Sequence, residues 1–293
     1  AASQPMTNEA GDICLVFNGE IYNFKELRKD LISRHDFKSE SDTEVIIHLY
    51  EEIGLEVFSK IQGMFAVALG DLKSHKLILA RDRMGKKPLY WSCAGETLIF
   101  ASELKALLEY PNFKKELDLE SLNKYLLYEY VPTPNTIFKK TYKLEPGYYL
   151  VYDGINIIKN KYWDIAFNRR FLSPDSRLSM GGAIKELDKR LSEAVKVRLV
   201  SDVPLGVFLS GGIDSSAIAY YAQKNSLSKI KTFSIGFKDE SFDESKHARQ
   251  VASFLGTEHH EKLLTAKDSL DFIPRVANLL DEPMADASII PAY

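Results

Sequence analysis

The chain has 293 residues, enough for one large domain or two ordinary ones. Its hydrophobic fraction of 45% and charged fraction of 27% exclude a disordered, collagen-like or low-complexity protein. The net charge of −3 provides no basic field, so nucleic acid is not expected as a partner. No apolar run is long enough to cross a bilayer, and two cysteines are too few for a disulfide framework. We therefore expect a cytoplasmic protein without a membrane partner.

Both ends of the sequence suggest a fragment. The chain begins at Ala1 without a signal-peptide pattern, and it stops at Tyr293 directly after an apolar stretch. We expect a chain that is truncated at both ends.

Short strands with antiparallel pairing are predicted in the first half, to about residue 165. The apolar runs that predict strands cover 13–18, 64–70, 76–81, 88–91 and 98–101. The second and third of these runs form a predicted hairpin. Because no helix of ten residues separates the strands that follow, we expect antiparallel pairing rather than parallel β-α-β units.

Two helices are predicted in the same half. Apolar residues at helical spacing predict one over 21–33. Ser41-Asp42-Thr43-Glu44 fits a capping box before a second helix over 45–53, which Gly54 can close. The first strand is expected to end in a turn at Asn18-Gly19.

The second half has a different rhythm, after a polar stretch that predicts a linker over 166–180. An amphipathic helix is followed by strand, helix, strand, helix and strand, which is typical of a parallel α/β sheet. The unbroken apolar run over 203–209 predicts a strand that is buried on both faces. The predicted domains are thus an α+β domain over 1–165 and an α/β domain over 181–293. The later elements are expected at 215–223, 230–237, 244–255 and 260–264.

The strongest motif is Ser210-Gly211-Gly212-Ile213-Asp214-Ser215-Ser216, between a predicted strand and a predicted helix. Open α/β sheets bind ligands at the carboxyl ends of their strands. The two glycines let the backbone approach an anion, and helix-start amides and serine hydroxyls can donate to phosphate oxygens. The Asp214 carboxylate would repel a polyphosphate unless Mg²⁺ bridges the two. The alternative is a simple turn, with Asp214 favouring the helix N-terminus.

This motif resembles the pyrophosphate loop of the PP-loop ATP pyrophosphatase family, which cleaves ATP between its α and β phosphates. The resemblance implies that Leu209 and Ile235, at the ends of two strands, frame the adenosine. Core packing is the alternative for these two side chains. The resemblance also implies a set of residues that hold pyrophosphate and Mg²⁺: Ser210, Gly211, Gly212, Asp214, Ser215 and Ser216.

A second resemblance lies in the first half. The segments 16–23 and 41–44 resemble those of class II glutamine amidotransferase domains, which have the N-terminal-nucleophile αββα fold. The resemblance implies that the Asn18 side-chain amide and the Gly19 N–H form an oxyanion hole. It also implies that Glu20 and Asp42 hold the amino-acid end of L-glutamine. The alternatives are a tight turn at Asn18-Gly19 and a role for Asp42 at the helix start alone.

The two domains in this order resemble the glutamine-hydrolysing asparagine synthetase family over nearly the whole chain. Further matching stretches are 80–90, 100–105, 130–134, 144–147 and 281–293. The resemblance implies ATP-dependent amidation of L-aspartate with ammonia from glutamine, through β-aspartyl-AMP, with release of AMP and pyrophosphate. It implies ATP and Mg²⁺ as cofactors and a homodimer. The alternatives are a related enzyme acting on another carboxylate, such as a sugar acid or antibiotic precursor, and a non-catalytic nucleotide-binding module.

One departure from this family concerns the nucleophile, which in the family is an N-terminal cysteine whose α-amino group acts as the base. Residue 1 is Ala1 here. Cys14, on a predicted strand, and Cys93, in a predicted turn, do not match the nucleophile position. The chain as given is therefore not expected to hydrolyse glutamine.

The remaining polar clusters suggest no further site. His259-His260-Glu261 is not expected to bind a metal, because adjacent residues of a strand point to opposite faces. The basic run over 81–87 is either an anion site or a solvated loop with a structural Arg–Asp pair. The other histidines have no partner at a recognisable spacing: His35, His48, His75 and His247.

Overall fold

The structure is a computed structural model that describes residues 3–165, 179–201, 203–238 and 243–293. It divides into two compact units. The first comprises Ala1–Ala166 and Leu279–Asp286, and the second comprises Phe167–Asn278 and Ala287–Tyr293. Most of the linker predicted over 166–180 lies outside the described residues.

Two antiparallel sheets form the centre of the first unit. The larger has the strand order β1-β2-β3-β4-β8-β9 and the smaller has the order β6-β5-β7. The antiparallel pairing predicted for this half is confirmed. The strands are β1 (Met6–Thr7), β2 (Ile13–Ile21), β3 (Gly63–Asp71), β4 (Lys76–Arg81), β5 (Tyr90–Ala94), β6 (Thr97–Ala101), β7 (Thr141–Lys143), β8 (Tyr148–Tyr152) and β9 (Ile157–Lys161).

In the part of the first unit that the structure describes, five α-helices lie in two layers outside the sheets. They are α1 (Phe24–Leu31), α2 (Asp42–Ile53), α3 (Val57–Lys60), α4 (Leu104–Leu108) and α5 (Leu119–Tyr128). Along β3, Val67 and Leu69 pack with α1, α2 and α3, whereas Ala66 and Ala68 pack with the smaller sheet. On the other face of the smaller sheet, Ile99 packs with α4 and α5. The layers are therefore helix, sheet, sheet and helix, which is the predicted αββα sandwich.

The strand β2 is longer than predicted and α1 is shorter. Instead of turning at Asn18-Gly19, β2 continues to Ile21, with Asn18 opposite Ala66 and Gly19 opposite Phe65. A Cβ atom on Gly19 would overlap the Met64 carbonyl oxygen, so the glycine allows β2 to approach β3 closely. The prediction of a turn at this pair was wrong.

The start of α2 agrees in part with the predicted capping box. The Ser41 hydroxyl accepts a hydrogen bond from the Thr43 amide at 3.1 Å, as an N-cap should. Glu44 does not complete the box by returning to Ser41. Its carboxylate instead accepts hydrogen bonds from the amides of Lys38 and Ser39, both at 2.7 Å. The helix ends at Ile53, and Gly54 follows with a φ of +57°, as predicted.

The second unit contains a three-stranded parallel sheet in the order β10-β11-β12. The predicted alternation of strands and helices is confirmed. The strands are β10 (Gly206–Phe208), β11 (Lys231–Phe237) and β12 (Glu258–Leu264). The helices are α6 (Met180–Lys196), α7 (Ile213–Asn225), α8 (Ser245–Leu255), α9 (Ala266–Leu279) and α10 (Ile289–Ala292).

The strand β10 is shorter and more exposed than predicted. Val203 and Phe208 are 68% and 74% exposed, and only Leu209 at the end of the run is fully buried. Within the described residues β10 is an edge strand, so it has a neighbour on one side alone. The prediction of burial on both faces was wrong, because apolarity alone does not distinguish an edge strand from a central one.

Candidate functional site

The side-chain amide of Asn18 is exposed at the surface of the first unit and is held by a hydrogen bond. Its Nδ2 donates to the Ser102 hydroxyl at 3.1 Å, directly after β6. An amide nitrogen carries two hydrogens, so one of them remains for a ligand. Ser102 lies in a stretch that resembles the family, yet its own residue type gives no sign of this contact.

The backbone N–H of Gly19 points away from β3. Phe65, which lies opposite Gly19, directs both of its backbone groups to Asp82, with its amide 3.2 Å from Oδ2 and its carbonyl 2.9 Å from the Asp82 amide. Residues two apart in a strand direct their N–H groups to the same side. The Phe17 amide donates to the Gln4 side chain at 2.7 Å on that other side. The Gly19 N–H therefore faces the edge of β2 that is opposite to β3, where β1 is too short to reach it.

The Asp42 carboxylate lies at the end of β2. Its Oδ2 accepts the Ile21 amide at 2.7 Å, which places Asp42 next to Glu20. Its Oδ1 is 3.3 Å from the Ser41 hydroxyl. Because this carboxylate binds a strand amide, it does more than begin α2. The structure thus brings Asn18, Gly19, Glu20 and Asp42 to one end of β2, and their role in binding glutamine stays a prediction.

The loop over 81–87 is a structural element of the first unit. The Arg81 guanidinium donates to the carbonyl oxygens of Gly85, Lys87 and Leu144, each at 2.8 Å. Asp82 is buried and accepts several loop amides. These contacts favour a role of the loop in holding the fold together over an anion site. The expectation of a solvated loop was wrong at Asp82, which is buried.

The segment Leu279–Asp286 belongs to the first unit and is anchored there by two carboxylates. Asp281 accepts the Leu104 amide at 2.8 Å, at the start of α4. Glu282 accepts the Ile137 amide at 2.8 Å and pairs with Lys143 at 2.5 Å. The motif was noted in the sequence, but nothing in its local pattern indicates a return to the first unit.

The cysteines are free and lie on strands. Cys14 is half-buried in β2, and Cys93 is exposed in β5 rather than in a turn as predicted. Neither position changes the expectation that they are not the nucleophile.

In the second unit, the predicted phosphate loop joins β10 to α7. The Ser210 hydroxyl lies 2.9 Å from the Ser215 hydroxyl and 3.3 Å from the Gly212 amide, so the loop curls onto itself. Gly212 is the N-cap of α7, and Asp214 is exposed in its first turn. The first amides of a helix have no intrahelical acceptor, which makes this end of α7 suitable for an anion.

Gly211 sets how closely the loop approaches α8. Its φ is +85°, and a Cβ atom would lie 2.6 Å from the His247 Cβ and 2.7 Å from the Ala248 amide. Ser216 has a buried hydroxyl oxygen without a hydrogen-bond partner among the described residues. A buried unpaired hydroxyl next to exposed helix-start amides fits a polyphosphate with bound Mg²⁺.

A cavity of about 310 Å³ lies beside this loop. Leu209, which directly follows β10, and Ile235, in the second half of β11, both line it. Ser210 lines it as well, so the loop and the two predicted adenosine positions open onto one space. Ile235 is half-buried and faces the cavity, so core packing alone does not account for it. Leu209 is fully buried, as core packing would also require. The adenosine role of the two stays a prediction.

His259 and His260 have separate partners, as expected for neighbours on a strand. His259 lies between the hydroxyls of Thr232 at 2.9 Å and Ser234 at 3.2 Å. His260 pairs with Glu258 and stacks on another ring of the sheet. Burial lowers the pKa of His259 below its ordinary value.

Comparisons with known proteins cover both units. A family model described as a glutamine amidotransferase domain matches residues 1–163, and one described as asparagine synthase matches residues 186–293. Asparagine synthetase [glutamine-hydrolyzing] 1 of Bacillus subtilis (strain 168) is 36% identical over 291 residues, which are 99% of this chain and 45% of that protein. A putative asparagine synthetase [glutamine-hydrolyzing] 2 of Methanocaldococcus jannaschii is 35% identical over 292 residues, covering 97% and 55%. The chain spans about half the length of the curated relatives it matches.

A solved structure of glutamine PRPP amidotransferase from B. subtilis, complexed with ADP and GMP, gives a TM-score of 0.40. That match has 16% sequence identity and covers 89% of this chain and 64% of the other.

Fold and family models define the class: an amidotransferase domain followed by a synthase domain. The chain belongs to the glutamine amidotransferase domain family, whose model matches more than half of it, and residues 186–293 match the asparagine synthase model. The resemblance to glutamine-hydrolysing asparagine synthetases that the motifs predicted is confirmed. None of the helices in the described ranges has the length and apolar character that a membrane span requires.

Proposed function

We propose that the protein catalyses the ATP-dependent amidation of L-aspartate to L-asparagine, with ammonia taken from L-glutamine. The observation that carries the proposal is the loop over 210–216, which ends a parallel strand, begins a helix and opens onto the cavity beside Leu209 and Ile235. Such a position suits the phosphates of ATP. The two relatives described above are named as asparagine synthetases, one of them as putative, which supports this acceptor.

The first unit would stabilise charge during glutamine hydrolysis. In the family, an N-terminal cysteine attacks the side-chain carboxamide and places negative charge on its oxygen, whereas residue 1 is Ala1 here. The free Asn18 hydrogen and the Gly19 N–H are the donors proposed for that charge. Each such donor contributes about 10²–10³ in rate. Glu20 and Asp42 would hold the amino-acid end of the substrate. Glutamine and water give glutamate and ammonia.

The second unit would activate aspartate. An oxygen of its side-chain carboxylate attacks the α-phosphorus of ATP, and pyrophosphate leaves. The groups proposed to donate hydrogen bonds to that pyrophosphate are the first amides of α7 and the hydroxyls of Ser210, Ser215 and Ser216. Asp214 is the residue proposed to hold Mg²⁺, which would neutralise phosphate charge when bound with ATP.

Ammonia then completes the reaction. Its nitrogen attacks the acyl carbon of β-aspartyl-AMP, and AMP leaves with the former carboxylate oxygen. Asparagine, AMP and pyrophosphate are the products. Adenylation is needed because a free carboxylate is a poor electrophile, and exclusion of water protects the intermediate from hydrolysis.

The test supplies ammonia and MgATP to the full product of the gene and measures pyrophosphate with aspartate and with other carboxylic acids. Ammonia bypasses glutamine hydrolysis, so only the second reaction is measured. We expect pyrophosphate, AMP and asparagine in equal amounts with aspartate. Asp214→Asn should reduce this release, whereas Glu193→Gln, on the exposed side of α6, should not.

Two results would overturn the assignment of the acceptor. Pyrophosphate release with another acid and not with aspartate would identify a related amidotransferase. Nucleotide binding without pyrophosphate release with any acid would identify a non-catalytic module.

A further inference from the structure

Four side chains of the first unit converge in a cluster to which the proposed function assigns no role. They are Glu9 between β1 and β2, His35 after α1, and His48 and Glu51 on α2. One ligand atom from each lies within 4.8 Å of all the others. Two imidazole nitrogens and two carboxylate oxygens are a donor set that suits Zn²⁺.

The distances between these atoms agree with a tetrahedral ion. His48 Nδ1 lies 2.9 Å from the Glu51 carboxylate and 3.8 Å from that of Glu9. His35 Nδ1 lies 3.5 Å from the Glu51 carboxylate. Ligands bound tetrahedrally to zinc at its usual bond lengths are separated by about 3.4 Å. The three distances lie on both sides of this value.

The other polar atoms of these side chains are held by a second set of residues. The free carboxylate oxygens of Glu9 and Glu51 accept hydrogen bonds from the Asp36 amide at 2.9 Å and the Asn8 amide group at 2.8 Å. His35 Nε2 lies 3.0 Å from Glu52.

The second ring nitrogen of His48 faces another carboxylate. Its Nε2 is 3.7 Å from Glu44, and it is buried without a hydrogen-bond partner among the described residues. Metal-binding histidines usually hydrogen-bond their second nitrogen to a carboxylate or carbonyl, as His35 Nε2 does with Glu52. His48 Nε2 faces the Glu44 carboxylate at a distance longer than a hydrogen bond.

Ion pairing with protonated histidines is the competing explanation. The His35 and His48 rings are stacked with their centroids 4.6 Å apart. Two protonated rings at this distance would repel each other. A divalent cation would hold both rings and the carboxylates of Glu9 and Glu51 without a charge on either ring.

We propose that Glu9, His35, His48 and Glu51 form a structural zinc site. Its four protein ligands leave no position open for a substrate. The site would join the β1–β2 turn, the segment after α1 and the helix α2. Since α2 begins at Asp42 and β2 carries Asn18 and Gly19, zinc would stabilise the elements that hold the proposed glutamine-binding residues.

The test uses the tag-free chain after removal of metals by a chelator and dialysis. We expect calorimetric titration with Zn²⁺ to give one ion per chain and a higher midpoint of thermal unfolding. Co²⁺ in place of Zn²⁺ should give the intense visible absorption of a tetrahedral site. His35→Asn and Glu9→Gln should each weaken Zn²⁺ binding about tenfold or more.

The matched control is His75→Asn. His75 is exposed in the β3–β4 turn with a φ of +53°, which asparagine tolerates, so this variant removes a histidine without strain. It should bind Zn²⁺ like the parent chain. Circular dichroism establishes that each variant is folded. Failure of the folded parent chain to bind Zn²⁺, or unchanged affinity in both His35→Asn and Glu9→Gln, would overturn the proposal. Neither result would affect the proposed ligase reaction, which is measured separately.

Discussion

Gly19 lies where the backbone leaves no room for a side chain, and its N–H faces the proposed substrate. Its strand approaches β3 so closely that a Cβ atom would overlap the Met64 carbonyl oxygen and lie 2.8 Å from the Phe65 Cα. The same residue directs its N–H to the side proposed for the substrate oxyanion. The Asn-Gly pair is a common turn signal, so the sequence favoured a turn. The partner strand that overrides this preference lies more than forty residues away in the sequence.

We expect Gly19→Ala to destabilise the first unit by about 1–3 kcal/mol, because backbone atoms cannot move aside as a side chain can. Denaturant unfolding measures the change. Gly70→Ala is the matched control in the partner strand β3, since its new Cβ would meet only the Cys14 carbonyl oxygen at 3.9 Å. Equal stability of the two variants would show that the close approach is unimportant.

His259 predicts a pH dependence of stability in the second unit. Burial lowers its pKa below the ordinary value of 6.5, as do the charges of Arg249 and His260, although Glu261 acts in the opposite sense. The unfolded chain therefore binds the proton more tightly than the folded chain does. The contribution of His259 to stability is complete above pH 6.5 and is lost as the pH falls below it.

We expect the free energy of unfolding to fall between pH 7 and pH 5, with a slope from this proton of at most about 1.4 kcal/mol per pH unit. Chemical unfolding at a series of pH values measures the slope. It should decrease in His259→Gln and persist in His260→Gln, where the exposed neighbour is changed. An unchanged slope in His259→Gln would contradict the assignment.

At the scale of elements, the loop after β10 depends on its packing against α8. Gly211 has a φ of +85° and lies against His247 and Ala248. The sequence predicted the loop, the strand before it and the helix after it, because glycines and a helix-start pattern are local signals. It did not predict the exposure of β10, which depends on how many strands lie beside it.

Gly211→Ala should shift the loop away from α8 and cost about 1–3 kcal/mol through backbone strain. Affinity for magnesium pyrophosphate should fall together with the midpoint of thermal unfolding. Gly181→Ala is the control for stability, since it lies in α6 with no atom within 4 Å of the added Cβ. Parental stability and affinity in Gly211→Ala would show that the loop does not need this conformation.

The segment Leu279–Asp286 is held in the first unit by the Glu282–Lys143 pair, whose side chains are 10% and 15% exposed. Removal of one partner from a buried pair costs about 3–5 kcal/mol because the other charge stays buried. We expect Glu282→Gln to destabilise the first unit on this scale. Lys143→Met in the same chain should recover part of the loss.

Unfolding measurements on the two single variants and the double variant give the coupling energy. The exposed Lys161–Asp164 pair provides the comparison, since Lys161→Met should change stability by only about 0–1 kcal/mol. Additive effects of Glu282→Gln and Lys143→Met would show that the pair is not coupled.

At the scale of the whole molecule, the sequence predicted two domains of different class, because the strand and helix rhythm changes between them. It did not predict that the first unit takes up Leu279–Asp286. The cluster of Glu9, His35, His48 and Glu51 was not predicted either, although both histidines were considered in the sequence analysis. Both features join segments that are distant in sequence, and no local pattern encodes such contacts.

The proposed ligase function rests on the claim that the loop over 210–216 binds the pyrophosphate part of ATP with its magnesium ion. Calorimetric titration with MgATP of the parent chain, of Asp214→Asn and of the control Glu193→Gln measures this binding. We predict that Asp214→Asn weakens magnesium-dependent binding at least about tenfold, or ~1.4 kcal/mol, and that Glu193→Gln binds like the parent. An unchanged MgATP affinity in Asp214→Asn would contradict the claim.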